Sequence, residues 1–295
     1  METVPARTIV TRTKSGGWFG TEYNMNLYRG CCHGCIYCDS RSACYHIEDF
    51  GRVRPKADAL AIVRDDLRRK TRAGVVATGA MSDPYNPLER QLCLTRHALE
   101  LLAAFGFGVA IDTKSGLVAR DCDVLTEVAA AMPVLVKFSF STWDDALAAR
   151  LEPGAPPPSA RLAAMERLAR EGLYTGAVLM PVLPGLTDTR ETVQELVRRV
   201  AAAGGRFCYC WPGVTLRTGS REYYYAALDR EFPGLRERYQ RRYGDRYRCL
   251  VPGVRRFWEC FTGACTTYGL PWEMAAITAG YRAGYEGQLS LFAER

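Results

Sequence analysis

No stretch of this sequence approaches the ~20 consecutive apolar residues that a membrane-spanning helix needs, which disfavours a transmembrane chain. The segment from Met1 to Lys14 alternates polar and apolar residues and lacks the hydrophobic core of a secretory signal. Internal repeats, low-complexity tracts and collagen-like bias are missing too, so solenoid and fibrous architectures have no support. Composition fits a soluble globular protein: of 295 residues, 48% are hydrophobic and 24% charged. That length suits one large domain, or one domain with a substantial appendage. The expectation is a cytoplasmic, monomeric chain with no membrane partner and with reduced thiols.

Against that background twelve cysteines stand out. Cys31, Cys32, Cys35, Cys38 and Cys44 fall within fourteen residues. In a reducing compartment such a cluster reads as metal ligands or reactive thiols rather than disulfides. Charge is equally uneven. Residues 206–256 contain no lysine, twelve arginines and five acids, a surplus that equals the whole net charge of +7. Seven of the sixteen tyrosines lie in the same window.

Apolar, β-rich runs at 23–28, 75–79, 107–113, 134–140, 174–181 and 207–211 alternate with helical patterns at 95–105, 121–131, 159–172 and 188–203. The last of these starts at an Asp188/Glu191 capping box and ends before Gly204. Strands separated by helices imply parallel pairing with right-handed crossovers. Six strands fall short of the eight that close a full barrel. The predicted fold is therefore α/β, an open partial (β/α)6 barrel of the TIM type over 1–211 (core about 20–211). A C-terminal extension at 212–295 is packed on it, with a helix at 220–243 broken by Pro233-Gly234. A doubly wound sheet is the rival. In both folds ligands bind at the C-terminal ends of the strands.

The cysteine segment reads Tyr28-Arg-Gly-Cys31-Cys32-His33-Gly34-Cys35-Ile36-Tyr37-Cys38. Two registers are open: C-x3-C-x2-C through Cys31, Cys35 and Cys38, or C-x2-C-x2-C through Cys32, Cys35 and Cys38. A zinc ribbon would need a fourth ligand. A cubane iron–sulfur cluster normally takes four thiolates, so three on one loop leave an iron open for a cofactor.

The first register, with Tyr37 before the last cysteine, resembles the radical S-adenosylmethionine superfamily. Within it, Asn26-Leu-Tyr-Arg-Gly-Cys31, Ser82-Asp83-Pro84-Tyr85-Asn86-Pro87-Leu88-Glu89 and Thr113-Lys114-Ser115 resemble the spore photoproduct lyase family over about 20–211. The resemblance implies a [4Fe-4S] cluster on Cys31, Cys35 and Cys38 that cleaves S-adenosyl-L-methionine to a 5′-deoxyadenosyl radical. It places Tyr37, Ala80, Ser82, Asp83, Lys114 and Ser139 around that cofactor. It also implies repair or modification of a thymine-dimer-type lesion, with DNA as partner and flavodoxin or ferredoxin as electron donor.

Two departures bear on the chemistry. The family's hydrogen-donating cysteine, in a Cys-Thr-Ser-Asp motif, is replaced in Ala80-Met81-Ser82-Asp83, and the tyrosine after the last cluster cysteine is Asp39. Replacement donors are Cys210, on a strand that alternates Cys208 and Cys210 with Phe207, Tyr209 and Trp211, and Tyr85. Cys249, Cys260 and Cys265 raise the question of a second metal site, but their spacing matches no established pattern.

In the basic segment, Arg221, Arg238, Arg241 and Arg242 with Tyr224 suit phosphate contact and base stacking, the combination used by single-strand and flipped-base binders. A solvated amphipathic helix would carry the same pattern. The functional alternatives are a radical enzyme acting on a peptide or small metabolite, and a non-enzymatic, metal-stabilised nucleic-acid module.

Overall fold

The computed structural model describes residues 2–13 and 18–285. In chain order the strands are β1 (Val10–Arg12), β2 (Tyr23–Met25), β3 (Tyr28–Arg29), β4 (Arg54–Pro55), β5 (Val75–Thr78), β6 (Gly108–Thr113), β7 (Val134–Phe140), β8 (Thr175–Leu179), β9 (Cys208–Cys210), β10 (Gly213–Thr215) and β11 (Arg248–Leu250). The main sheet runs β1-β2-β5-β6-β7-β8-β9. From β2 to β9 every neighbour is parallel, and only β1 is antiparallel, lying against β2. All six expected runs supply these parallel strands, joined in sequential order, and the sheet does not close. At the far edge, the Cys208 amide donates to the Pro271 carbonyl at 3.1 Å, so a C-terminal loop occupies the exposed ladder.

Helices α1 (Ala59–Arg68), α2 (Glu89–Leu92), α3 (Leu94–Ala104), α4 (Cys122–Ala129), α5 (Asp145–Leu151), α6 (Pro158–Arg170) and α7 (Arg190–Ala202) occupy the connections. Their apolar stripes, such as Val193, Leu196, Val197 and Val200 on α7, are buried against the outer face of the sheet. The cap of α7 differs from expectation. Thr189, not Asp188, accepts from the Thr192 amide, while Asp188 accepts from the Gly185 amide at 2.8 Å. Two adjacent capping residues competed, and the one with extended backbone at the helix start won.

The C-terminal region has two destinations. Helices α8 (Ser220–Glu231) and α9 (Leu235–Tyr243), with the β10–β11 pair, bury Tyr224, Tyr239 and Tyr243 in a cluster that includes Ile36 and Tyr37 of the cysteine loop. Helix α10 (Val254–Thr267) packs on α7. Helix α11 (Met274–Arg282) puts Ile277 and Tyr281 with Phe19, Val75, Leu135 and Phe207, an apolar plug in the barrel interior. The Tyr281 hydroxyl fixes it by donating to the Phe19 carbonyl at 2.8 Å. The aromatic residues of 212–295 serve the α8–α9 pair and the faces that α10 and α11 turn to the barrel. No helix among the described residues is long and apolar enough to cross a membrane.

Candidate functional site

The cysteine loop leaves β3 and is pinned at several points. The Cys31 amide donates to Phe50 O at 2.8 Å, Ile36 N to Leu151 O at 2.9 Å, and Gly154 N to His33 O at 2.8 Å. Gly30 has φ of 81°, and a Cβ there would lie 2.4 Å from the Arg52 carbonyl, so only glycine fits this turn. Cys35 is buried; Cys31 and Cys38 are partly so. Burial raises the Cys31 thiol to about 11 and Cys35 further, and the neighbouring cysteine sulfurs add to both shifts. A set of thiols in this state ionises on binding a cation, as iron ligands do. Among the described residues no three His, Cys, Asp or Glu side chains converge on one ion, as mononuclear zinc would demand. A cubane is held differently, each thiolate on its own iron, and the donor set fits it.

Above the loop lies a cavity of about 880 Å³ at the C-terminal ends of the strands, where this architecture places ligands. Tyr37, Cys38, Ala80, Asp83, Lys114 and Ser139 line it. Asp83 accepts from Thr113 Oγ1 at 2.8 Å, Lys114 N at 2.7 Å and Tyr85 N at 2.9 Å, which ties the β5 and β6 loops together. Lys114 Nζ donates to Ser139 Oγ at 2.9 Å and lies 5.9 Å from the Tyr37 ring. Burial alone would lower the Lys114 ammonium. The facing Cys35 and Glu152 more than offset it, so the cation persists beside the cluster loop. Ser82 is buried and donates to the Gly30 carbonyl; it braces the loop and does not line the cavity.

Sequence reasoning missed a second set of groups. Glu152, fully buried, accepts from the Tyr37 and Arg161 side chains and from Ser141 Oγ at 2.8 Å. Arg161 also donates to Ser139 O at 2.9 Å. This network fixes Tyr37 and the end of β7 from behind. Asp112 and Lys137, cross-strand partners on β6 and β7, were visible as charges inside otherwise apolar runs. Nothing local marks Glu152 and Arg161.

Both proposed hydrogen donors lie elsewhere. On β9 the odd-numbered residues face the interior: Phe207 joins the plug, and Tyr209 and Trp211 line the cavity. Strict alternation turns Cys208 and Cys210 outward, into the core with α7 and α10 residues such as Cys265. Tyr85 is 2% exposed and packs in that same core, away from the cavity. Cys249, Cys260 and Cys265 fall in different environments: Cys249 is in the α8–α9 cluster, Cys265 in the barrel core and Cys260 at its edge.

The basic segment also divides. Tyr224 is wholly buried and donates to the Tyr239 hydroxyl at 3.0 Å, so its ring is closed to a base. Arg221 is spent on the carbonyls of Leu216, Gly244, Asp245 and Arg246, which closes the α8–β11 connection. Arg238, Arg241 and Arg242 are exposed on α9, outside the cavity lining. The cavity rim carries Arg12 and Arg248, both exposed and without a side-chain ion pair or hydrogen bond among the described residues, beside Trp18, Trp211 and Tyr247. The missed rim residues sit far apart in sequence, which no window of composition unites.

An open parallel barrel with a three-cysteine loop at its C-terminal rim defines a radical enzyme, and the chain belongs to the radical SAM superfamily, whose profile matches residues 25–200. Its cofactors are the [4Fe-4S] cluster and S-adenosyl-L-methionine. An uncharacterized protein of Mycobacterium tuberculosis is 36% identical over 228 residues, 75% of this chain and 67% of that one. A protein described as a radical SAM Nalpha-GlyT isomerase, from Pseudomonas phage M6, is 23% identical over 59% of this chain and 35% of its own length. Spore photoproduct lyase complexed with dinucleoside spore photoproduct superposes with a TM-score of 0.66 at 16% identity, covering 88% of this chain and 77% of the lyase. At that identity the shared property is the fold.

Proposed function

We propose that this enzyme repairs or modifies a lesion in DNA. The observation that carries the reading is the cavity itself: cofactor-side groups Cys38, Lys114 and Ser139 share one space with the aromatic faces of Trp18, Tyr209 and Trp211 and the exposed residues Arg12 and Arg248. Aromatic faces stack on bases, and arginine forks bind phosphates. When bound, the cluster and S-adenosyl-L-methionine supply a 5′-deoxyadenosyl radical, with the electron delivered by a flavodoxin or ferredoxin. Cys31, Cys35 and Cys38 would hold the cluster. The Lys114 ammonium would meet a carboxylate on that side of the cavity, and Ser139 holds the Lys114 side chain in place. The likeness to a lyase complexed with a dinucleoside photoproduct supports the substrate class.

Reduced, reconstituted enzyme incubated separately with ultraviolet-irradiated DNA and with peptides is expected to release more 5′-deoxyadenosine only with the DNA. Stimulation by peptides alone would transfer the enzyme to another substrate class.

Arg241 and Arg242 are exposed on α9 outside the cavity lining, and flanking phosphates would contact them. Changing Arg241 and Arg242 together to Ala is expected to lower the slope of log affinity against log salt by nearly two, since each lost duplex phosphate contact removes about 0.9. An unchanged slope would show that DNA does not reach α9.

A further inference from the structure

The cavity reaches down into the barrel, and its floor is not apolar. Asp112 lines it from β6, with a side chain 23% exposed, while its cross-strand neighbour Lys137 on β7 is completely buried. The pair meets at 2.9 Å through Asp112 Oδ2. Lys137 Nζ also stands 4.6 Å from the Phe19 ring, at the top of the apolar plug. Such a pair is a poor choice for stability alone, because an isolated buried ion pair is commonly no better than apolar residues of the same volume. Its neighbours leave space in front of it. Ala77 on β5 and Gly79 just beyond it line the cavity with little or no side chain. Asn24 lines the same cavity from β2, and its buried Oδ1 has no hydrogen-bond partner among the described residues.

These groups restrict what can enter. Lys137 already neutralises Asp112, so a cationic head group would bring an uncompensated charge into the barrel. Asp112 Oδ1 has no hydrogen-bond partner among the described residues and can accept an N–H from a group in the cavity. A neutral ring presenting a single imide N–H satisfies the site.

We propose that Asp112 is a specificity-determining residue that accepts a hydrogen bond from the imide N–H of a thymine- or uracil-type ring seated in the barrel, with Lys137 as the positioning residue behind it. This rests on the reading that the substrate is nucleic acid.

The test is equilibrium binding of cluster-loaded protein to an irradiated oligothymidylate and to the same oligomer built from N3-methylthymidine, which has lost the donor. Wild type is expected to prefer the N–H form by about tenfold or more, the scale of one hydrogen bond to a charged group. Asp112→Asn should erase that preference. If the lone Lys137 unfolds the single variant, Asp112→Leu combined with Lys137→Met removes charge and acceptor together and should erase it equally. Equal binding of the two oligomers by wild type would overturn the Asp112 assignment while leaving nucleic acid as substrate. Failure to bind either oligomer would overturn the nucleic-acid reading and this inference with it.

Discussion

Replacing Cys31, Cys35 and Cys38 together by Ala is expected to abolish both the brown chromophore and the reductive cleavage of S-adenosyl-L-methionine. Anaerobic reconstitution of wild type should give about four irons per chain, the cubane stoichiometry, and the triple variant close to none. The size of the effect follows from the loop. Its backbone is pinned by the Phe50, Leu151 and Gly154 hydrogen bonds, and the thiols are the soft ligands it would present to iron. The loop also carries an internal control. Cys32 is half-buried beside Cys31, and only a change of register would make it a ligand. Cys32→Ala should keep its iron and its colour. Loss of both in that variant, with retention in Cys31→Ala, would move the cluster to the other register; a coloured triple variant would remove it from this loop.

Much of this architecture is legible in the sequence because its signals are local. Each parallel strand is a short apolar run such as 134–140, and each crossover helix shows a 3.6-residue stripe. The cysteine spacing is likewise contained in one loop. What was illegible depends on distance or on parity. Whether Cys210 or Tyr209 faces the cavity is a single-residue question of strand phase, decided by Phe207 packing against Phe19 and Ile277 from a helix seventy residues downstream. Tyr224 reads as a stacking residue in a basic window, yet it is a core residue, because α8 and α9 need a buried face and tyrosine supplies one. Arg12 and Arg248 share a rim only because the first strand and the eleventh bracket the same cavity.

Arg161→Met is expected to destabilise the protein by about 3–5 kcal/mol, because removing one partner of a buried ion pair leaves the other charge uncompensated. Glu152 and Arg161 are each about 1% exposed, and the Arg161 guanidinium additionally serves Ser139 O and Pro156 O. The pH dependence carries the more discriminating result. Burial by itself would raise the Glu152 carboxyl, but Arg161 and Lys114 more than offset it and hold it at about 2, below its ordinary 4.5. In wild type this group therefore contributes stability that is complete above 4.5 and is lost as pH falls toward 2. Without Arg161, burial dominates and the carboxyl moves upward, so protonation relieves the variant. Urea midpoints taken from neutral pH down to about 4.5 should consequently hold or fall in wild type and rise in Arg161→Met. Pairing the change with Glu152→Leu should recover most of the stability, since both charges leave together. It would not recover the site, because the Tyr37 hydroxyl loses its acceptor and the ring beside Cys38 loses its anchor. The double variant is expected to fold with near-normal stability yet cleave S-adenosyl-L-methionine poorly. If instead it cleaves as wild type does, Glu152 and Arg161 are structural only, and the orientation of Tyr37 has no part in the chemistry.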